Sequence, residues 1–166
     1  MRRWMTWGIV AVMGGCVAIG STNAAPGGGT RLLRSPTISA DRIAFAYANN
    51  IWVVERNGGL ARRITSFQGA TTNPKFSPDG KWIAFSADYS GNVDAYIVAA
   101  EGGEPKRLTW HPGADTVQGW TPVGKNVLFA SFRATAAPSG SPPFWAVPVD
   151  SSGATFTEPD RDVWIQ

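Results

Sequence analysis

Residues 76–85 read Phe76-Ser77-Pro78-Asp79-Gly80-Lys81-Trp82-Ile83-Ala84-Phe85, a turn-forming run that feeds directly into an apolar strand. Pro78 presets its own φ at about −65°. Gly80 is the residue that can take φ > 0 without strain, as a hairpin turn or bulge at this point requires. The following Trp, Ile and Phe favour a pleated, buried surface, and the run is too short for a helix.

The pattern repeats in both directions. Ile83-Ala84-Phe85 has counterparts in Ile43-Ala44-Phe45 and Val127-Leu128-Phe129, at offsets of 40 and 44. The turn recurs as Trp120-Thr121-Pro122-Val123-Gly124-Lys125. Trp52-Val53-Val54 matches Tyr96-Ile97-Val98, Asn57-Gly58-Gly59 matches Glu101-Gly102-Gly103, and Arg63-Ile64-Thr65 matches Arg107-Leu108-Thr109, all at 44. The single shorter offset places a four-residue insertion within Ala87 to Val93, around Ser90-Gly91-Asn92. That is a hairpin tip, where extra residues are tolerated. The first repeat turns near Asn49-Asn50. A third repeat continues through a Pro/Ser/Gly-rich loop, Arg133 to Pro143, to Trp145-Ala146-Val147-Pro148-Val149.

Each unit therefore holds four short strands in an antiparallel meander of 40–44 residues. In the second unit the strands are expected near Asn73–Phe76, Trp82–Ala87, Asp94–Ala99 and Lys106–Thr109. Ile83 and Phe85 point to one face of the sheet, Trp82 and Ala84 to the other. A sheet that is apolar on both faces must be stacked between neighbours, as a β-propeller blade is. The expected fold is all-β: a partial propeller of about three four-stranded antiparallel blades, at 31–66, 73–110 and 117–157. No helix longer than two turns is expected after residue 25. With three blades, only the middle one is covered on both sides. The outer blades are expected to expose Phe45, Trp52, Phe129 and Trp145, and so to favour self-association.

Composition agrees with a turn-rich β protein. Among 166 residues there are 19 Gly and 12 Pro, with 43% hydrophobic and 16% charged residues. The formal net charge is +3. The first 24 residues read as an export signal, with Arg2-Arg3 as a positive start, an apolar run from Met5 to Gly20, and small residues Thr22 and Ala24 before a cleavage point. Residues 25–30 form a Gly-rich leader that lacks the Gly-Lys-Ser/Thr of a phosphate-binding loop. Loss of Arg2 and Arg3 leaves a charge near +1, too weak for a nucleic-acid surface. The only cysteine, Cys16, lies in the signal, so the exported chain would have neither a disulfide nor a thiol nucleophile. An exported, periplasmic or extracellular location is expected, with no membrane attachment after cleavage.

Phe76 to Phe85 resembles the WD40-like repeat of TolB-type and tricorn-type propellers. Further matches favour the tricorn-type serine peptidases. These are Leu33-Arg34-Ser35-Pro36-Thr37-Ile38-Ser39, Asn50-Ile51-Trp52-Val53-Val54, Ala61-Arg62-Arg63-Ile64-Thr65, Glu101 through Thr109, His111-Pro112-Gly113-Ala114-Asp115, and Gly119 through Pro122. The resemblance runs from about Arg31 to Val149 and points to the start of the N-terminal propeller of exported bacterial homologues. It implies a longer parent that continues through a second propeller and a PDZ-like domain to a peptidase domain. It also implies a non-catalytic role here, gating or binding peptides. A TolB-type protein-interaction propeller, or a truncated product without independent activity, are the alternatives. Residues 151–166 read as a divergent tail.

No catalytic, cofactor-binding or metal residues are assigned. His111, the only histidine, sits in an inter-blade turn without a recognisable nucleophile and acid partner. Asp88, Asn92 and Asp94 lie at the long hairpin but lack the spacing and closing Glu of a calcium loop, and read as turn formers. Arg62-Arg63 and Lys106-Arg107 occupy equivalent outer strands, where charge discourages edge pairing. One histidine and, once the signal is removed, no cysteine argue against a structural zinc site, so no cofactor is expected and the chain alone is expected to be inactive as a peptidase.

Overall fold

A computed structural model of the chain describes residues 32–66, 68–133 and 141–150. They form eleven strands and no helix: β1 (Arg34–Ile38), β2 (Arg42–Tyr47), β3 (Asn50–Glu55), β4 (Arg62–Arg63), β5 (Thr71–Phe76), β6 (Trp82–Asp88), β7 (Val93–Ala99), β8 (Lys106–Arg107), β9 (Asp115–Trp120), β10 (Asn126–Ser131) and β11 (Phe144–Pro148). Three antiparallel sheets follow in chain order, β1-β2-β3-β4, β5-β6-β7-β8 and β9-β10-β11. The fold is all-β, with the blade-like sheets that the repeat implies. The third sheet has three strands among the described residues. The fourth strand expected before residue 157 lies outside them, as do the signal, the leader and the tail.

The insertion falls where the offsets place it. Tyr47 pairs with Asn50 across a two-residue turn in the first blade, whereas in the second the ladder runs past Ala87–Asp94 to Asp88–Val93 and closes over a four-residue loop, so that one extra strand pair and two extra loop residues make up the four. The first tip is Ala48-Asn49, one residue before the expected position. Both residues have positive φ, 47° and 60°, matching the type I′ geometry that suits strand twist. Gly80 has φ +70° and its counterpart Gly124 has φ +69°. Each donates its N–H three residues back, to Ser77 O and Thr121 O at 2.8 Å. The first blade closes a shorter turn with Ser39 alone, whose Oγ accepts the Arg42 N–H and donates to Asp41 Oδ1.

β5 begins at Thr71, two residues before the expected start. The register shifts between Thr72 and Lys75, around Asn73-Pro74, where Asn73 has φ 51°. β1 shifts likewise at Ser35-Pro36, where Ser35 has φ 49°. A bulge accommodates a proline that cannot donate to the ladder, so Pro74 marks an interruption within the strand and not its boundary.

Two cores separate the three blades. Ala44, Ala46, Ile51, Val53 and Ile64 of the first blade pack against Ile83, Phe85, Ala87, Tyr96 and Val98 of the second. Ala84, Ala95, Ile97 and Leu108, on the second blade's other face, meet Val117, Val127, Phe129 and Val147 of the third. The middle sheet is thus apolar on both faces for the reason its alternation implies. The expected exposure of outer-blade aromatics is corrected at three positions. Phe129 is 0% exposed because it faces the middle blade, Trp145 packs against the same core, and Phe45 is buried. Alternation tells which residues share a face but not which face meets the neighbour.

Candidate functional site

Several buried polar side chains are paired within their own blades, and Ser86 Oγ accepts the Val117 N–H across the second junction at 2.8 Å. At the end of the sheets where the β6–β7 loop lies, each outer strand is locked by a threonine. In the first blade Thr65 Oγ1 accepts the Ile51 N–H at 2.9 Å and donates to Asn50 Oδ1 at 3.1 Å. In the second, Thr109 Oγ1 accepts the Ala95 N–H at 2.9 Å and donates to Asp94 Oδ1 at 3.2 Å.

The charge differs between these otherwise equivalent locks. Asn50 is neutral, whereas Asp94 is a buried carboxylate bound through Oδ2 to Arg107 Nη2 at 2.5 Å. Burial pushes the Asp94 carboxyl up from its usual value; Arg107 and the Thr109 hydroxyl oppose it, and the Asp115 charge adds to the rise. The first residue of the next inner strand also changes, from Thr71 to Asp115. Asp115 is 0% exposed in its side chain and pairs with Arg133, itself 7% exposed, at 2.5 Å. Arg133 in turn lies over the Phe129 ring at 4.7 Å. At this end the second and third blades therefore each hold an internal ion pair, Asp94–Arg107 and Asp115–Arg133, where the first blade has the neutral Asn50–Thr65 pair. Each of the two carboxylates is matched by one guanidinium of its own blade, so the charges are neutralised pairwise.

These contacts revise two expectations. Asp94 is a buried ion-pair partner and not a turn former, because β7 starts one residue earlier, at Val93, and carries its side chain inward. Arg62, Lys106 and Arg107 do more than guard an edge. Arg62 Nη1 donates to Glu101 O of the next blade at 2.5 Å, and the equivalent Lys106 Nζ donates to Val149 O at 3.0 Å. Arg63 remains exposed on the outer strand. The inter-blade partners are 39 and 43 residues away in sequence, so no local pattern announces them.

His111 is a turn residue. Its Nδ1 accepts the Gly113 N–H at 2.9 Å, and its carbonyl accepts from Asn92 Nδ2 at 2.6 Å. Asn92 thus ties the long hairpin to the inter-blade turn. Asp88 pairs within the hairpin, opposite Val93. Among the described residues no three His, Cys, Asp or Glu side chains cluster as a metal site.

At the opposite end of the sheets, each junction contains a niche. Between the first and second blades it measures about 240 Å³ and holds Arg42, Lys81, Ala100 and Glu101. Arg42 pairs there with Glu101 and lies 3.4 Å from Asp41. Burial disfavours the Arg42 cation, but its hydrogen bond to Glu101 and the surrounding carboxylates outweigh this and raise its pKa. Between the second and third blades the equivalent niche is about 720 Å³ and is lined by Trp82, Lys106, Lys125, Val149 and Asp150 among others.

The family model for the tricorn protease N-terminal β-propeller domain matches residues 30–161. The chain belongs to this family. It is 40% identical over 53 residues to the tricorn protease of Thermoplasma acidophilum, a match covering 32% of this chain and 5% of that protein. It is 36% identical over 59 residues to a TolB homologue of Chlorobium luteolum, covering 36% of this chain and 14% of the relative. The crystal structure of the tricorn protease superposes with a TM-score of 0.59 at 29% identity, over 69% of this chain and 12% of that one. The matches thus span only small fractions of these longer proteins. For this tricorn-family propeller segment, the resemblance carried by residues 76–85 and 101–122 is confirmed at the level of the domain.

Proposed function

We propose that this chain is the non-catalytic propeller segment of an exported tricorn-type serine peptidase, and that it binds or gates peptide substrates for a catalytic domain elsewhere in the parent protein. The observation that carries this reading is the family match across residues 30–161, over blades built from packed apolar strands. His111 is engaged by its own turn through Nδ1, consistent with a segment that holds peptides without cleaving them. The Arg2-Arg3 start and the apolar run after it support export. The outer strands of the sheets among the described residues offer edges for association with further propeller elements or with a second copy.

A test is to immobilise the chain, pass a mixture of unmodified peptides over it, and analyse bound and unbound fractions by mass spectrometry. Retention of intact peptides is the expected result. Cleavage that is lost in His111→Ala, or no retention of any peptide, refutes the reading. The TolB matches favour a second reading, a protein-interaction propeller. It predicts that folded protein partners are retained while short peptides are not.

A further inference from the structure

The two niches at the Gly80 end of the blades share four equivalent lining positions, Arg42 and Trp82, Lys81 and Lys125, Ala100 and Val149, Glu101 and Asp150. Ala100 N–H donates to Lys81 O at 2.8 Å in one, and Val149 N–H donates to Lys125 O at 3.1 Å in the other. This register makes Glu101 equivalent to Asp150, Arg62 to Lys106, and Lys81 to Lys125. Arg42 and Trp82 each directly precede the Ile-Ala-Phe of their strand. In the first niche the Arg42 guanidinium meets the Glu101 carboxylate. In the second, the carboxylate is kept as Asp150, Glu104 joins the lining, and the arginine is replaced by Trp82, whose side chain is part of a residue still 41% exposed. The space is three times larger, about 720 against 240 Å³.

We propose that the niche between the second and third blades takes an arginine side chain from a bound peptide, its guanidinium stacked on Trp82 and paired with Asp150. Trp is the best cation–π face, and a guanidinium stacks on it while still donating to a carboxylate. The lysines in the lining do not exclude the cation. Arg62, the equivalent of Lys106, shares the Glu101 carboxylate with Arg42, Lys81 lines the first niche with Arg42, and in the second niche Lys106 Nζ is already held by Val149 O while Glu104 and Asp150 balance the two lysines. The proposal names the residue type that a peptide-binding segment would recognise, and so rests on that reading.

The test uses the full chain and a fluorescein-labelled pentapeptide, Gly-Ala-Arg-Ala-Gly, followed by anisotropy. A second peptide carries citrulline, which keeps the shape and removes the charge. The arginine peptide is expected to bind at least about tenfold more tightly than the citrulline peptide, and less tightly as salt is raised. Trp82→Arg, which restores the first niche's filling residue, should abolish binding, and Asp150→Asn should weaken it about tenfold. Circular dichroism confirms that each variant folds; should Trp82→Arg not fold, Asp150→Asn and the citrulline comparison decide. Equal binding of the two peptides, binding that survives both substitutions, or no binding of the arginine peptide overturns the proposal. Peptides retained from the mixture without an arginine preference would leave the peptide-binding reading intact and remove only this one.

Discussion

The two threonine locks give an internal experiment. Thr65 and Thr109 occupy the same repeat position, are both buried, and make the same pair of hydrogen bonds. They differ in what they donate to, the neutral Asn50 or the ion-paired Asp94. Valine is nearly isosteric with threonine, so each Thr→Val change removes the hydroxyl and leaves the packing. In the first blade the Ile51 N–H loses its acceptor, and a buried unsatisfied donor costs about 1–3 kcal/mol. In the second blade the Ala95 N–H is stranded in the same way. There the bond lost is also one that the Thr109 hydroxyl donates to a charged acceptor, the Asp94 carboxylate, a class contributing about 1.5–3 kcal/mol against about 0.5–1.5 for a neutral one. Thr109→Val should therefore destabilise by about 1 kcal/mol more than Thr65→Val. Urea unfolding followed by tryptophan fluorescence measures both. Placing Thr109→Val in an Asp94→Asn background should bring its cost down to that of Thr65→Val, since the first lock is then reproduced. Equal costs in the parent background, or a larger cost at Thr65, would refute the assignment of charge as the difference.

Gly80→Val should destabilise by about 1–3 kcal/mol, because φ is +70° while the added Cβ would meet only the Ser39 side chain, Cβ at 3.4 Å and Oγ at 3.8 Å; an unchanged melting curve would show that the turn relaxes freely. Arg133→Met leaves Asp115 buried without its partner and should cost about 3–5 kcal/mol, read from the urea midpoint, whereas a loss under about 1 kcal/mol would place the pair in a far more solvated setting than the structure does. Burial raises the Asp94 carboxyl above its ordinary value, so between the ordinary and the raised values the folded chain holds a proton that the unfolded chain has released. The stability this lends is fully present below the ordinary carboxylate value of 3.8 and is lost as pH rises through the raised one. Asp94→Asn should flatten that part of the stability–pH curve, and a variant curve parallel to the parent's would contradict it.

The blade pattern was legible because strand alternation and turn chemistry are local. Ile83-Ala84-Phe85 tells its own two faces, and the Ser77-Pro78-Asp79-Gly80 turn needs only its own backbone. The four-residue insertion could be found by counting, since register in a hairpin follows loop length. The bulge at Asn73-Pro74 could not, because proline looks the same at a strand's end and at an interruption within it.

What the sequence by itself determined is the repeat, the all-β class and the identity of the apolar faces, all properties of residues within a few positions of each other. Only the tertiary structure decided which polar residues are structural and which blades hold a buried ion pair. Asp94 resembles any turn aspartate until Arg107 and Thr109 are brought across the sheet to it, and Arg62 resembles an edge guard until Glu101 of the next blade arrives. Burying a charge requires a partner within hydrogen-bond reach. In a stack of sheets that partner lies a strand or a whole blade away along the chain, where sequence proximity carries no information.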